Sequence, residues 1–396
     1  MKDSVHSPTS DASHLHVVCS PGLTECVTRE LGALGFAVDG SSPTGVSTRG
    51  TLMDGMRLVL ELRTALHVLY RLAEMRAPDP DVLYTAINRL PWEEWIDADG
   101  YVSVISRGRH PRFDNMMFAN QLVKDAIVDR IRERRGRRPD AGPLDDRTVI
   151  DVFLNEDRAA VSLNLSGKKL SDRGYRKHPH AAPVRETLAA AVLMLAEWDG
   201  AEPLLAPMCG SGTFAIEAAL IAADRAPGLL RSNFGGLHLR GFDREAWQKM
   251  RSDVRRRSVR AHLPPIVASD LDDAAIVAAR ANAQTAGCAH QIAFHVCDFA
   301  KTPLPEGPGL VVVNPEYGRR LGDAGDLKAT YRRLGDMFKQ QLPGWRAAVL
   351  CGDRELAGEV GLRPRRRIPI RHAGLDARLL LFELFEGPLA APHRQD

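Results

Sequence analysis

No run of about eighteen apolar residues occurs in this 396-residue chain, so no transmembrane helix is expected. The opening MKDSVHSPTSDASH has no apolar stretch of the secretory kind, and residues 1–13 read as a disordered lead. Cysteine is sparse: six residues, Cys19, Cys26, Cys209, Cys288, Cys297 and Cys351, with no C-x-x-C pair and no zinc spacing. That excludes a disulfide framework, leaves no metal expected, and suits a reducing cytoplasm. An excess of one charge is also missing. The net charge of +3 does not by itself announce a nucleic-acid binder. Internal repeats and low-complexity tracts are absent too. What remains is ordinary globular composition, 44% hydrophobic and 26% charged, at a length that asks for two or three domains.

The richest stretch is LLAPMCGSGTFAIEAALIAA, residues 204–223. A short apolar strand runs into Gly210-Ser211-Gly212, and an alanine-rich helix opens at once behind it. Two glycines let the backbone turn tightly and approach a ligand, and a helix N-terminus adds unpaired N–H groups. The loop alone also satisfies the loose G-x-G-x-x-A dinucleotide pattern. A dinucleotide site, however, wants an acid about 20 residues further on, and that window holds Arg225, Arg231 and polar loop. The acids come later, at strand ends. Ile266–Ser269 leads to Asp270, Ile292–Cys297 to Asp298, and Leu310–Val313 to Asn314-Pro315-Glu316-Tyr317-Gly318. Glycine loop, acid, acid and Asn-Pro-x-Tyr, in that order, is the arrangement of S-adenosylmethionine-dependent methyltransferases that modify an amino nitrogen. Asp272 is the expected cap of the helix after Asp270.

Four longer segments carry a more specific resemblance: residues 174–232, SDLDDAAIVAARANAQTAG (269–287), VVVNPEYGRRLGD (311–323) and CGDRELAGEVGL (351–362). They are similar to the bacterial THUMP-domain 23S rRNA guanine-N2 methyltransferases, over nearly the whole chain. The resemblance implies an α/β fold with a Rossmann-like class I methyltransferase domain, preceded by a ferredoxin-like plus THUMP α+β RNA-binding region. The β-α-β-β-α order from His14 to Leu62, its second strand at Gly35–Val38, agrees with a ferredoxin-like unit over 14–70. THUMP would occupy 71–166, a basic linker 167–182, and the catalytic domain 183–388.

By the same resemblance, S-adenosyl-L-methionine is the cofactor and the substrate is RNA, 23S rRNA first and tRNA as the alternative. Pro207, Cys209, Gly210, Ser211, Gly212, Thr213 and Thr187 would border the cofactor. Asp270 would take the ribose hydroxyls, and Asp298 the adenine amino group, with Phe299 near the ring. Asn314 and the Pro315 carbonyl would hold the target amino group while Tyr317 stacks on the base. Two residues depart from the family pattern. Ala206 stands where an aspartate is usual near the methionine end of the cofactor, with Glu217 as a partial substitute, and Glu316 stands where proline is usual. These keep open a degenerate, RNA-binding ribosome-assembly scaffold.

Basic residues cluster locally. The linker carries Lys168, Lys169, Arg173, Arg176 and Lys177 around Tyr175, and Arg107 and Arg109 precede Phe113 in the THUMP region. These are candidates for backbone phosphates, with Tyr175 a candidate stacking ring. Residues 130–138, 255–257 and 363–367 are further arginine runs.

Overall fold

The computed structural model describes residues 12–113, 115–179, 183–257, 263–316, 324–372 and 375–385. The chain forms two compact units. One takes the residues up to Cys19, Val27–Asp172 and Pro227–Arg256; the other takes Ser20–Cys26, Arg173–Ala226 and the chain from Arg257 onward.

The first unit is built on β1 (Ser13–Cys19), α1 (Thr24–Ala33), β2 (Gly40–Ser42), β3 (Gly45–Gly50), α2 (Leu52–Glu61), β4 (Ala65–Arg76), α3 (Pro80–Asn88), α4 (Trp92–Trp95), β5 (Tyr101–Arg109), α5 (Met116–Arg135), β6 (Asp140–Ala141), β7 (Thr148–Asn155) and β8 (Arg158–Asn164). Its strands make one sheet in the order β2-β3-β1-β4-β8-β7-β5-β6. The long β4 joins its halves, pairing with β1 through its first residues and with β8 through its last. Alternation fixes the inner face: Ile150, Val152 and Leu154 of β7 are buried opposite Leu163, Val161 and Ala159 of β8. Residues 35–38, which the sequence reads as a strand, are instead the exit of α1. The Phe36 N–H returns to the Leu31 carbonyl, and the strand follows at β2. Ser13, the last residue of the expected lead, already opens β1, and residues 1–11 lie outside the described ones.

The second unit begins with α6 (Glu186–Leu195), β9 (Leu204–Pro207) and α7 (Thr213–Ala222). The insertion 227–256, carrying most of α8 (Arg244–Arg257), then clusters with the first unit. There Phe234 and Phe242 pack on Trp247, and Arg240 donates to the Glu93 carbonyl at 2.7 Å. The second unit resumes with β10 (Ile266–Asp270), α9 (Asp273–Ala286), β11 (Ile292–Val296), β12 (Leu310–Val313), α10 (Ala324–Gln341), β13 (Arg346–Cys351), α11 (Arg354–Glu359), β14 (Arg366–His372) and β15 (Leu375–Glu383). Strand order is β11-β10-β9-β12-β13-β15-β14; the first five are parallel, β15 runs antiparallel to them, and β14, antiparallel to β15, shares their direction. LVVV of β12 is buried throughout, as a central parallel strand covered on both faces must be. Leu205, Val311, Val313, Leu334, Phe338 and Val349 share its core. β14 is an addition to the sequence reading, which sees in residues 363–367 only a basic run.

Between β9 and β12 the strand order reverses direction, and the crevice at the carboxyl ends of those strands is where an open α/β sheet binds its ligand. Among the described residues no helix is long and apolar enough to cross a membrane.

Candidate cofactor and base site

Four strand ends converge on that crevice. β9 ends at the buried Pro207, after which Met208 and Gly210 both take positive φ, 54° and 52°. The Cys209 N–H is held by the Ser269 carbonyl at 2.9 Å, and burial raises the Cys209 thiol pKa strongly. A Cβ on Gly210 would meet no heavy atom within 4 Å, so this turn faces open space. Gly212, at φ 82°, is the opposite case, because its Cβ would sit 2.9 Å from that of Ala279 on α9. Behind it α7 starts at Thr213 with no side-chain cap, which leaves first-turn N–H groups for a ligand. Ser211 and Thr213 are buried.

Asp270, at the end of β10, accepts the Gly210 N–H at 2.8 Å with one oxygen and the Asp272 N–H at 3.1 Å with the other. Each oxygen keeps a further lone pair, enough for a diol. Asp272 caps α9 through the Ala274 N–H, the division of labour the sequence suggests. After β11, Asp298 accepts the Ala300 N–H at 3.0 Å and both oxygens meet Arg333 of α10 at 2.8 Å. The Arg333 guanidinium holds this carboxyl below the ordinary aspartate range. It also lies 4.8 Å from the centroid of the buried Phe299 ring. Sequence reasoning misses Arg333, which stands 35 residues away on another element.

Asn314 and Pro315 follow directly on β12. Asn314 Oδ1 is buried and finds no donor among the described residues. Buried acceptors are nearly always paired, so an orphan at a strand end calls for a donor from outside. Pro315 is buried and Glu316 exposed, so the carboxylate of that departure from the family points to solvent. Tyr317 lies outside the described residues.

Beneath the glycine loop runs a network that redefines the linker candidates. Tyr175 is 1% exposed and donates its hydroxyl to Glu217 Oε1 at 3.2 Å, and the buried Arg173 lies 3.5 Å from the same oxygen. Burial raises the tyrosine pKa. Arg176 donates to Glu186 at 3.0 Å and to the Val184 carbonyl at 2.7 Å. Burial also raises the Glu186 pKa. The expectation that Arg173, Tyr175 and Arg176 offer RNA a stacking ring and phosphate donors is therefore corrected, since internal partners occupy them. Asn282 completes the network. It accepts the Lys177 and His178 N–H groups, both at 3.0 Å, and donates to the Ser211 carbonyl at 3.2 Å. The only local hint of it is an asparagine on the buried side of an alanine-rich helix.

Glu217 is fully buried and shares its charge with Arg173, so it does not stand at the loop surface as a substitute for the aspartate missing at Ala206. Thr187 is buried near the start of α6. Lys168, Lys169, Lys177 and Arg109 are exposed, and Arg107 is paired with Asp151 at 2.5 Å.

Comparison with known proteins identifies the domains. Residues 173–379 match the RMKL-like methyltransferase domain, 77–164 the THUMP domain and 14–69 the RlmL ferredoxin-like domain. The ribosomal RNA large subunit methyltransferase K/L of Syntrophotalea carbinolica is 39% identical over 375 residues, 92% of this chain and 53% of its own length. Its counterpart in Methylococcus capsulatus is 40% identical over 371 residues, 92% and 50%. The chain thus spans about half the length of these curated relatives. Among solved structures, the protein SMU.472, solved in complex with SAH, shares the fold. Its TM-score is 0.85 at 24% identity, covering 96% of this chain and 100% of that one.

Proposed function

The chain belongs to the RMKL-like methyltransferase family, with THUMP and ferredoxin-like domains ahead of the catalytic one, and from this we propose that it methylates the exocyclic N2 of a guanosine in 23S rRNA, with S-adenosyl-L-methionine as donor. The observation that carries the base assignment is the buried Oδ1 of Asn314, without a donor among the described residues, at the end of β12, one strand from the glycine loop.

The cofactor supplies a methyl group already activated on a sulfonium. What the protein must add is alignment. Asp270 holds the ribose diol and Asp298, fixed by Arg333, takes the adenine amino group. The turn at Gly210 and the start of α7 accommodate the methionine end. A guanine N2 is a poor nucleophile because its lone pair is delocalised into the ring. Asn314 Oδ1 and the Pro315 carbonyl accept its two hydrogens and turn the lone pair toward the methyl carbon. The base must leave its helix to reach these groups, so the substrate is a flipped or single-stranded guanosine.

Incubation with labelled S-adenosylmethionine and an unmodified 23S rRNA fragment, followed by nucleoside analysis, tests this. Label in N2-methylguanosine is the expected result, and label only in adenosine or cytidine overturns it. Transcripts of tRNA in parallel separate the alternative substrate. Ala206, with Glu217 sequestered, favours a second reading as a non-catalytic RNA-binding scaffold. Calorimetry separates the two, since a scaffold shows no cofactor binding at millimolar concentration.

A further inference from the structure

The outer face of the first unit's sheet carries a concentration of arginines around one exposed ring. Phe153 of β7 is 51% exposed, although its strand neighbours Val152 and Leu154 are buried. Residues directly opposite on paired strands share a face, so the registers place Arg107 on one side of Phe153 and Ala160 on the other. Arg109 follows two residues beyond Arg107, and Arg158 two before Ala160. On β4 a register shift between Arg71 and Ala73 brings Arg71, Glu74 and Arg76 to this same face, opposite Ser162, Ala160 and Arg158. Five arginines therefore surround Phe153. Three of them have acidic partners: Asp151 is buried against Arg107, Glu74 pairs with Arg71, and Asp157 accepts from Arg76 at 2.7 Å, while Arg109 and Arg158 are exposed. Their field reaches His16 on β1, whose pKa burial, helped by Arg71 and Arg107, lowers to about 4.

Local backbone keeps the ring available. Gly108 has φ 98°, and a Cβ there would run into the Leu154 carbonyl and sit 3.2 Å from Phe153 Cε2. Glycine at 108 thus lets Phe153 lie beside bare backbone. Ala160 leaves its other flank low, so a planar group can settle on the ring.

We infer that this sheet face is a binding platform for unpaired RNA, with a base stacked on Phe153 and the flanking phosphates taken by Arg109 and Arg158. A ring inside a basic sheet surface is the chemistry that holds single strands without reading their sequence. The platform supplies the stacking ring that the buried Tyr175 does not. It rests on RNA being the substrate.

The test uses the full chain and a fluorescein-labelled, single-stranded oligouridylate, read by anisotropy over a salt series. Phe153→Ala weakens binding about five- to a hundredfold, the loss of one stacked base, while Phe153→Trp binds at least as well as the parent. Arg109→Gln and Arg158→Gln each lower the slope of log affinity against log salt by about 0.7. Affinity for a blunt RNA duplex changes less than about twofold in the Phe153 variants. Because the ring is exposed, Phe153→Ala should also keep the parent's thermal midpoint. Parental oligouridylate binding by Phe153→Ala overturns the platform, as does an equal loss in Phe153→Trp. Capture of polyglutamate in place of the oligonucleotide overturns it in favour of an acidic protein partner. If rRNA is methylated normally while Phe153→Ala binds oligouridylate like the parent, the platform alone falls. If the parent methylates no rRNA while Phe153→Ala loses the oligonucleotide, the functional reading falls and the platform stands.

Discussion

Asn314 and Asp270 both sit at strand ends, yet substituting them should produce opposite signatures. Asn314→Ala removes the acceptor proposed for the target amino group, so single-turnover methyl transfer should fall well over tenfold while cofactor affinity stays within about twofold. Asp270→Ala takes away the acceptor of the Gly210 N–H as well as the proposed ribose contact. Cofactor affinity measured by calorimetry should drop by about 1.5–3 kcal/mol, the range for hydrogen bonds to a charged group. If the parent affinity and rate survive both changes, these roles are wrong. Arg333 sets the titration of Asp298. Its guanidinium depresses the folded-state pKa, so this ion pair's contribution is complete above the unfolded value of about 3.9 and is lost as pH falls through the lower folded value. Arg333 is half exposed, so the contribution to stability is at most about 1 kcal/mol. Arg333→Ala should move the Asp298 carboxyl titration, followed by carbon NMR, upward toward the ordinary value. An unmoved midpoint refutes the pairing.

Elements make the two loop glycines unequal. Gly212→Ala forces a Cβ to within 2.9 Å of Ala279 in a left-handed conformation, so denaturant unfolding should report a loss of about 1–3 kcal/mol. Gly210→Ala meets no neighbour and should lose about 1–2 kcal/mol through its backbone alone. Its new methyl group instead enters the ligand space, so the larger effect should be on cofactor affinity. Equal stability losses with unchanged cofactor binding in both variants would refute that distinction. These glycines, the strand-end acids and Asn314-Pro315 were legible in the sequence because each closes an apolar run, and a parallel strand announces its own carboxyl end. Arg333, Asn282 and the pairing of Tyr175 with Glu217 were not, because each joins residues 35 to 105 positions apart with no local pattern to mark them. A basic, aromatic linker looks like an RNA surface until its buried partner, 42 residues downstream, is known. Phe153 was missed for the converse reason. In VFLN a phenylalanine between apolar residues reads as core, and only the strand's register shows that it faces outward.

Over the whole molecule, neither unit is a continuous piece of chain. The turn Gly235–His238 packs beside β7 and β8, and the Thr148 hydroxyl donates to the His238 carbonyl at 3.2 Å. Arg231 reaches the Ser166 carbonyl at 3.2 Å. A fragment ending at Asp172 therefore lacks part of its own unit and should unfold at lower denaturant than one in which residues 227–257 are rejoined through a flexible tether. Equal midpoints for the two fragments would show the insertion to be dispensable. The same interleaving bears on how the protein is made. A domain at the start of a chain ordinarily folds while the rest is still being synthesised. Here the first unit waits for residue 256 to leave the ribosome. At about 5–20 residues per second, the stretch from 173 to 256 takes roughly 4–17 seconds. During that interval the nascent sheet lacks the insertion's aromatic cluster, and this is the window in which a chaperone would find it.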